Sequence, residues 1–151
     1  MGVATLTIDQ YLEIEAIKKL RALYSHYFDS HRIDELASLF TEDAVCEFGP
    51  PLSYGDWHGR DEIRAKYAAV APNGAPPFMF MHAVTNPWIE LTSPATATGR
   101  WFLLDLVMPP ETRHPMSLLG VYDDDYRKVD GEWFIARTRI DHIWMAPGVS
   151  H

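Results

Sequence analysis

Hydrophobic positions in the first third of the chain recur at three- and four-residue steps. Leu12, Ala16, Leu20, Leu23 and Tyr27 make one apolar stripe of about five turns, ending at Phe28, with Thr7 or Asp9 as the cap; this spacing predicts a first helix. A shorter helix over Ile33 to Phe40 turns Ile33, Leu36, Ala37 and Phe40 inward, with Asp29 or Ser30 available to cap it. Ala44, Cys46 and Phe48 then alternate with Val45 and Glu47 as a strand. Gly49-Pro50-Pro51 stops that strand and opens an irregular loop to Gly59, after which Asp61 to Ala69 reads as a third helix.

Beyond the loop of Pro72 to Pro77 no helical period remains. Strands are expected at Phe78 to Asn86, Trp88 to Leu91, Thr96 to Leu106, Met116 to Arg127 and Glu132 to Ile143. Turns are expected at Ser93-Pro94, Pro109-Pro110 and Asp130-Gly131. Three helices followed by a run of strands predict an α+β fold. In it a strongly curved, mainly antiparallel sheet packs on the three helices and encloses a cone-shaped cavity. The 151 residues, with no linker or repeat, suit a single domain covering the whole chain.

Composition narrows the partners. Thirteen basic against 21 acidic residues give a net charge of -8, so no broad basic surface exists for nucleic acid. Aromatic residues at 13% are ample to line an apolar cavity for a small apolar substrate. Cys46, the single cysteine, excludes an internal disulfide and suits a reducing cytoplasm. The N-terminus lacks a signal-peptide pattern, and no run approaches the ~20 apolar residues of a membrane span, so a cytoplasmic protein without membrane partners is expected.

Four ionisable residues stand in apolar surroundings. Asp29 ends the first helical stretch, Tyr24 precedes it by about one turn, His82 lies within Phe78 to Val84, and Asp105 closes Trp101 to Leu104. A carboxylate bonded to one imidazole nitrogen fixes the tautomer and makes the other nitrogen a better base, so Asp29 and His82 suit a catalytic dyad. Tyr24 suits an oxyanion or leaving-group donor. A buried carboxyl such as Asp105 needs a partner. Each also has a structural explanation: helix cap for Asp29, core residues for His82 and Tyr24, strand-end carboxylate for Asp105. Strand parity aligns Phe80 with His82, and Trp101 with Asp105; with Phe48 and Tyr54, these are the expected substrate-binding residues.

Other candidates carry less. His58 falls on a loop and is expected to be exposed. His26 and His31 are poorly spaced for a helical metal site, and the Asp123-Asp124-Asp125 run lacks an EF-hand's glycine and glutamate, so it reads as a solvated face. No metal is expected, and no phosphate loop, dinucleotide fingerprint or nucleophile elbow calls for a cofactor.

Three motifs resemble the SnoaL-like branch of the nuclear transport factor 2-like superfamily. They are Tyr24-x4-Asp29 leading into Asp34 to Ala44, His82-Ala83-Val84-Thr85-Asn86-Pro87-Trp88-Ile89, and Tyr126 to Ile135. The resemblance covers nearly the whole chain and implies a cone-shaped α+β barrel. Within the branch, the Asp/His pair is similar to that of cofactor-independent scytalone and bile acid 7α-dehydratases, and of a dehydrochlorinase; Tyr24, Asp29, His82 and Asp105 match the bile acid type most fully. It implies dehydration of a hydroxylated, steroid-like or polyketide-like alicyclic carbonyl compound, in a homo-oligomer, with a trimer favoured and a dimer possible. Isomerisation or polyketide cyclisation in the same pocket, and a non-catalytic binding or assembly module, are the rival expectations.

Overall fold

A capping box opens the first helix. In the computed structural model, which describes residues 5–51, 54–70, 79–107 and 113–147, the Thr7 hydroxyl accepts the Gln10 N–H at 3.1 Å and the Gln10 side chain accepts the Thr7 N–H at 3.0 Å. Two orphan donors are thereby satisfied. Helix α1 (Ile8–Asp29) ends where the Ser30 N–H bonds the His26 carbonyl and His31 takes a left-handed φ of 57°. There follow α2 (Ile33–Ser38), β1 (Phe40–Phe48), β2 (Trp57–His58), α3 (Arg60–Val70), β3 (Phe80–Ser93), β4 (Thr96–Val107), β5 (Met116–Val129) and β6 (Glu132–Met145).

The six strands form one sheet in the order β2-β1-β6-β5-β4-β3, in which β1 runs parallel to β6 and every other pair is antiparallel. Asp130 and Gly131 join β5 to β6 with φ of 50° and 86°, as a two-residue primed hairpin requires. Register shifts in the β3/β4, β4/β5 and β5/β6 pairs bend the sheet. α1 lies against β3, and α3 against α2 and β1. The α+β architecture, with helices packed on a curved and mostly antiparallel sheet, is the one the sequence predicts. Ile17, Leu36, Phe40, Ile63 and Ile135 are wholly buried at its centre. Each contributes about 1.5–3 kcal/mol by the apolar area it removes from water.

The structure corrects several details. Phe40 begins β1 instead of ending α2, and the loop before Gly59 contains β2, hydrogen-bonded to β1. The two strands expected around Pro87 are one, because Asn86 adopts a φ of 52° and the register shifts between Thr85 and Trp88; a proline is tolerated at such a bulge. The predicted apolar stripe holds only in its later turns, where Leu20 is buried and Leu23 and Tyr27 pack against the core, whereas Leu12 and Ala16 face outward. Leu12 is 58% exposed, and the buried face comprises Ile17, Leu20, Arg21, Tyr24, Ser25 and Asp29. Three polar residues on that face hide it from a hydropathy pattern. The expected turn residues 72–77 and 109–110 lie outside the described residues.

Candidate active site

Asp29 closes α1 and His82 lies near the start of β3, so the packing of that helix on that strand brings the two together. Asp29 Oδ1 stands 2.6 Å from His82 Nδ1, and Oδ2 accepts the His82 backbone N–H at 2.9 Å. Asp29 therefore does not cap α2, whose N-cap is Arg32 without a side-chain hydrogen bond. With Nδ1 donating to the carboxylate, Nε2 keeps its lone pair. The Phe28 ring packs on the imidazole with centroids 4.6 Å apart.

Asp105 is directly opposite His82 in the β3/β4 register, and its Oδ1 lies 4.0 Å from Nε2. A register shift immediately follows Asp105. The carboxyl side chain is 10% exposed. Two carboxylates thus flank one imidazole, one on each ring nitrogen.

Phenols make the neighbouring wall. The Tyr24 hydroxyl is 2.6 Å from that of Tyr67 and also engages Tyr122; all three rings are buried. Burial pushes the Tyr24 phenol up to about 12 and holds Tyr67 and Tyr122 well above the usual range, so all three remain protonated donors at neutral pH. Burial likewise raises the Cys46 thiol to about 12, which leaves it a poor nucleophile.

These groups line a cavity of about 500 Å³, within the range of small-molecule sites. Phe48, Tyr54 and Phe80 line it with His82, Asp105 and Tyr24, but Trp101 does not. Its indole lies behind the wall and donates to Tyr126 at 3.0 Å. Trp101 shares the inward parity of Leu103 and Asp105 but sits too far along β4. Tyr67, Tyr122 and His142 also line the cavity and were missed by sequence reasoning. Tyr122 had a signal in its inward parity with Tyr126; Tyr67 had one in its spacing four residues after Ile63. His58 is exposed, and its backbone N–H donates to Glu62.

The triple-aspartate run is corrected as well. Asp124 is wholly buried, accepts from Tyr126 at 2.7 Å and Thr138 at 2.6 Å, and lies 3.6 Å from the buried Arg21. Among the described residues no cluster of three or more His, Cys, Asp or Glu has the arrangement of a metal site. No described helix is long and apolar enough to cross a membrane.

Residues 9–139 match the family model of the SnoaL-like domain. Among solved structures, Rv3472, a protein of unknown function from Mycobacterium tuberculosis, is 26% identical with a TM-score of 0.80, over 99% of this chain and 83% of that one. A protein provisionally named a scytalone dehydratase, from Novosphingobium aromaticivorans, is 26% identical with a TM-score of 0.77, over 93% and 91% of the two chains. LinA is 20% identical with a TM-score of 0.77, over 95% and 96%, a likeness of fold alone. The family match spans most of the chain and agrees with the helices, sheet and cavity described above: this protein belongs to the SnoaL-like family.

Proposed function

We propose that the chain is a cofactor-independent dehydratase acting on a hydroxylated, largely apolar alicyclic carbonyl compound of steroid-like or polyketide-like size. The supporting observation is the two-point hold of Asp29 on His82, which leaves Nε2 on the cavity side of the ring. His82 Nε2 removes the proton α to the carbonyl, and Asp29 stabilises the imidazolium that forms. The Tyr24 phenol, backed by Tyr67, donates to the developing enolate oxygen. As the C=C bond forms, the β C–O bond breaks, and the departing hydroxide takes the proton back from Nε2 and leaves as water. Asp105, 4.0 Å from Nε2, steadies that proton during its return.

The SnoaL-like family contains many enzymes, dehydratases, cyclases and isomerases among them. The convergence of Asp29 and His82 beside an apolar cavity favours catalysis over a binding module, in which neither residue needs the other. Mass spectrometry of products from a panel of alicyclic β-hydroxyketones tests the reading. Loss of one water, abolished in His82→Ala, is expected; no loss of water, together with a shifted double bond at unchanged mass in a β,γ-unsaturated ketone included in the panel, would make the chain an isomerase.

We propose further that the enzyme works in a reducing cytoplasm, in keeping with its single buried thiol, and as a homo-oligomer. The outer sheet face supports assembly. Met81, Phe102 and Trp144 are exposed on it, beside the cross-strand row Arg100, Asp123 and Arg139, whose alternating charges can complement a second copy. A trimer is the form favoured.

A further inference from the structure

Arg21 is wholly buried at the back of the cavity. Its guanidinium carbon lies 3.6 Å from the centroid of the Tyr122 ring and 4.2 Å from that of Tyr24, so the cation is in contact with the faces of two cavity phenols. Asp124 stands on it at 3.6 Å, a looser contact than the bidentate fork of a structural Arg–carboxylate pair. Among the described residues, none of the three guanidinium nitrogens has a hydrogen-bond acceptor. Burying an arginine this way is costly, and rings alone compensate for little of it. An arginine needed only for packing or pairing would be better served by a fork to Asp124, or replaced by an apolar side chain.

The contacts suggest another role. A cation on a ring face stabilises a phenolate more than a phenol, and in a buried site of low dielectric that field is weakly screened. Burial opposes the charge on Arg21, but Asp124 and the surrounding phenols hold it on, and Arg21 in turn lowers the proton affinity of both Tyr24 and Tyr122. Asp124 is engaged by Tyr126 and Thr138, away from the two stacked phenols. The positive end of the pair therefore faces the cavity wall.

We infer that Arg21 is a positioning residue of the site, whose charge acts through the stacked rings of Tyr24 and Tyr122 to strengthen the hydrogen bond that Tyr24, engaged by Tyr122, donates to an oxyanion formed in the cavity. This rests on the dehydratase reading for its purpose, but its physical content is tested without turnover. Site-specific 3-fluorotyrosine at position 24 reports ionisation by 19F NMR. Because Arg21→Met alone would strand Asp124, the neutral pair Arg21→Met/Asp124→Asn is compared with Arg21→Lys, each checked for native circular dichroism.

The neutral pair should titrate about one pH unit higher than the parent protein, a tenfold change in proton affinity, and Arg21→Lys should restore most of the shift. Equal titration in all three proteins overturns the inference. With turnover established, the neutral pair should also lose kcat about tenfold with KM little changed, whereas a merely structural role would move neither the titration nor that split. If the chain proves not to be a dehydratase, the fluorine titration still decides whether Arg21 charges the phenols.

Discussion

Asp29 holds His82 by both carboxylate oxygens, one on the ring at 2.6 Å and one on the backbone N–H at 2.9 Å. The carboxylate fixes where the strand lies against the end of α1 and which ring nitrogen is left for chemistry. The orientation of the imidazole and the docking of helix on sheet thus reside in one side chain, and substitutions separate them.

Asp29→Asn should keep the fold, because an amide oxygen can still accept the His82 backbone N–H, yet it can no longer stabilise an imidazolium. The kcat is expected to fall about 10²- to 10⁴-fold. Asp29→Ala should in addition lower the unfolding free energy by about 1–3 kcal/mol, since the His82 N–H loses its acceptor. Steady-state kinetics and urea denaturation of both variants check this, and equal stability of the two would show the backbone bond to be unimportant.

His82→Gln preserves a polar side chain of similar reach without a base. A loss of about 10²- to 10⁴-fold in kcat with native circular dichroism is expected. Retained turnover would remove His82 from the mechanism.

The buried phenols give the protein an alkaline weakness. Tyr24 titrates at about 12 when folded, against 10.0 for an ordinary phenol, so between those values the unfolded chain has released a proton that the folded chain keeps. The contribution of this phenol is therefore constant below pH 10, and it lowers stability as pH rises from there through about 12. Urea midpoints measured across that window should fall less steeply in Tyr24→Phe than in the parent protein; identical slopes would contradict the raised affinity.

Asp124→Ala removes the anionic partner of a wholly buried arginine together with two hydrogen-bond acceptors. A loss of about 3–5 kcal/mol is expected in chemical denaturation. The neighbouring Asp123 is only half-buried, and its replacement by alanine should stay within about 0.5 kcal/mol. A similar cost at both positions would mean the buried pair contributes no more than a surface aspartate.

Phe102→Glu places a charge in the middle of the exposed apolar sheet face. If that face joins copies of the chain, light scattering should show the assembly reduced to monomer while thermal unfolding of the monomer remains cooperative. An unaltered mass would put the interface elsewhere.

Most of the order of helices and strands was legible in the sequence, though not β2 or the unbroken β3, because each depends on near neighbours: a cap at Thr7, two-residue alternation along the strands, and a hairpin at Asp130-Gly131 whose backbone conformation those residues favour. The ionisable residues in apolar runs were legible too, since a polar group amid apolar neighbours needs a partner wherever the chain folds. Asp29 and His82 lie 53 positions apart, however, and only α1 packing on β3 gives them a distance.

The same limit explains the misreadings. Hydropathy counts Arg21 and Asp124 as surface residues because each alone is costly to bury; tertiary structure buries them together, 103 positions apart along the chain, on a face of α1 that the apolar stripe only partly covers. Parity along β4 assigned Trp101 correctly to the inner face, but how far the cavity reaches along that face depends on sheet curvature and on what α3 and β2 place opposite it. Periodicity reports which side of an element a residue occupies. Depth, distance and the company of a side chain are set by long-range packing, and those decided which ionisable residues form the site.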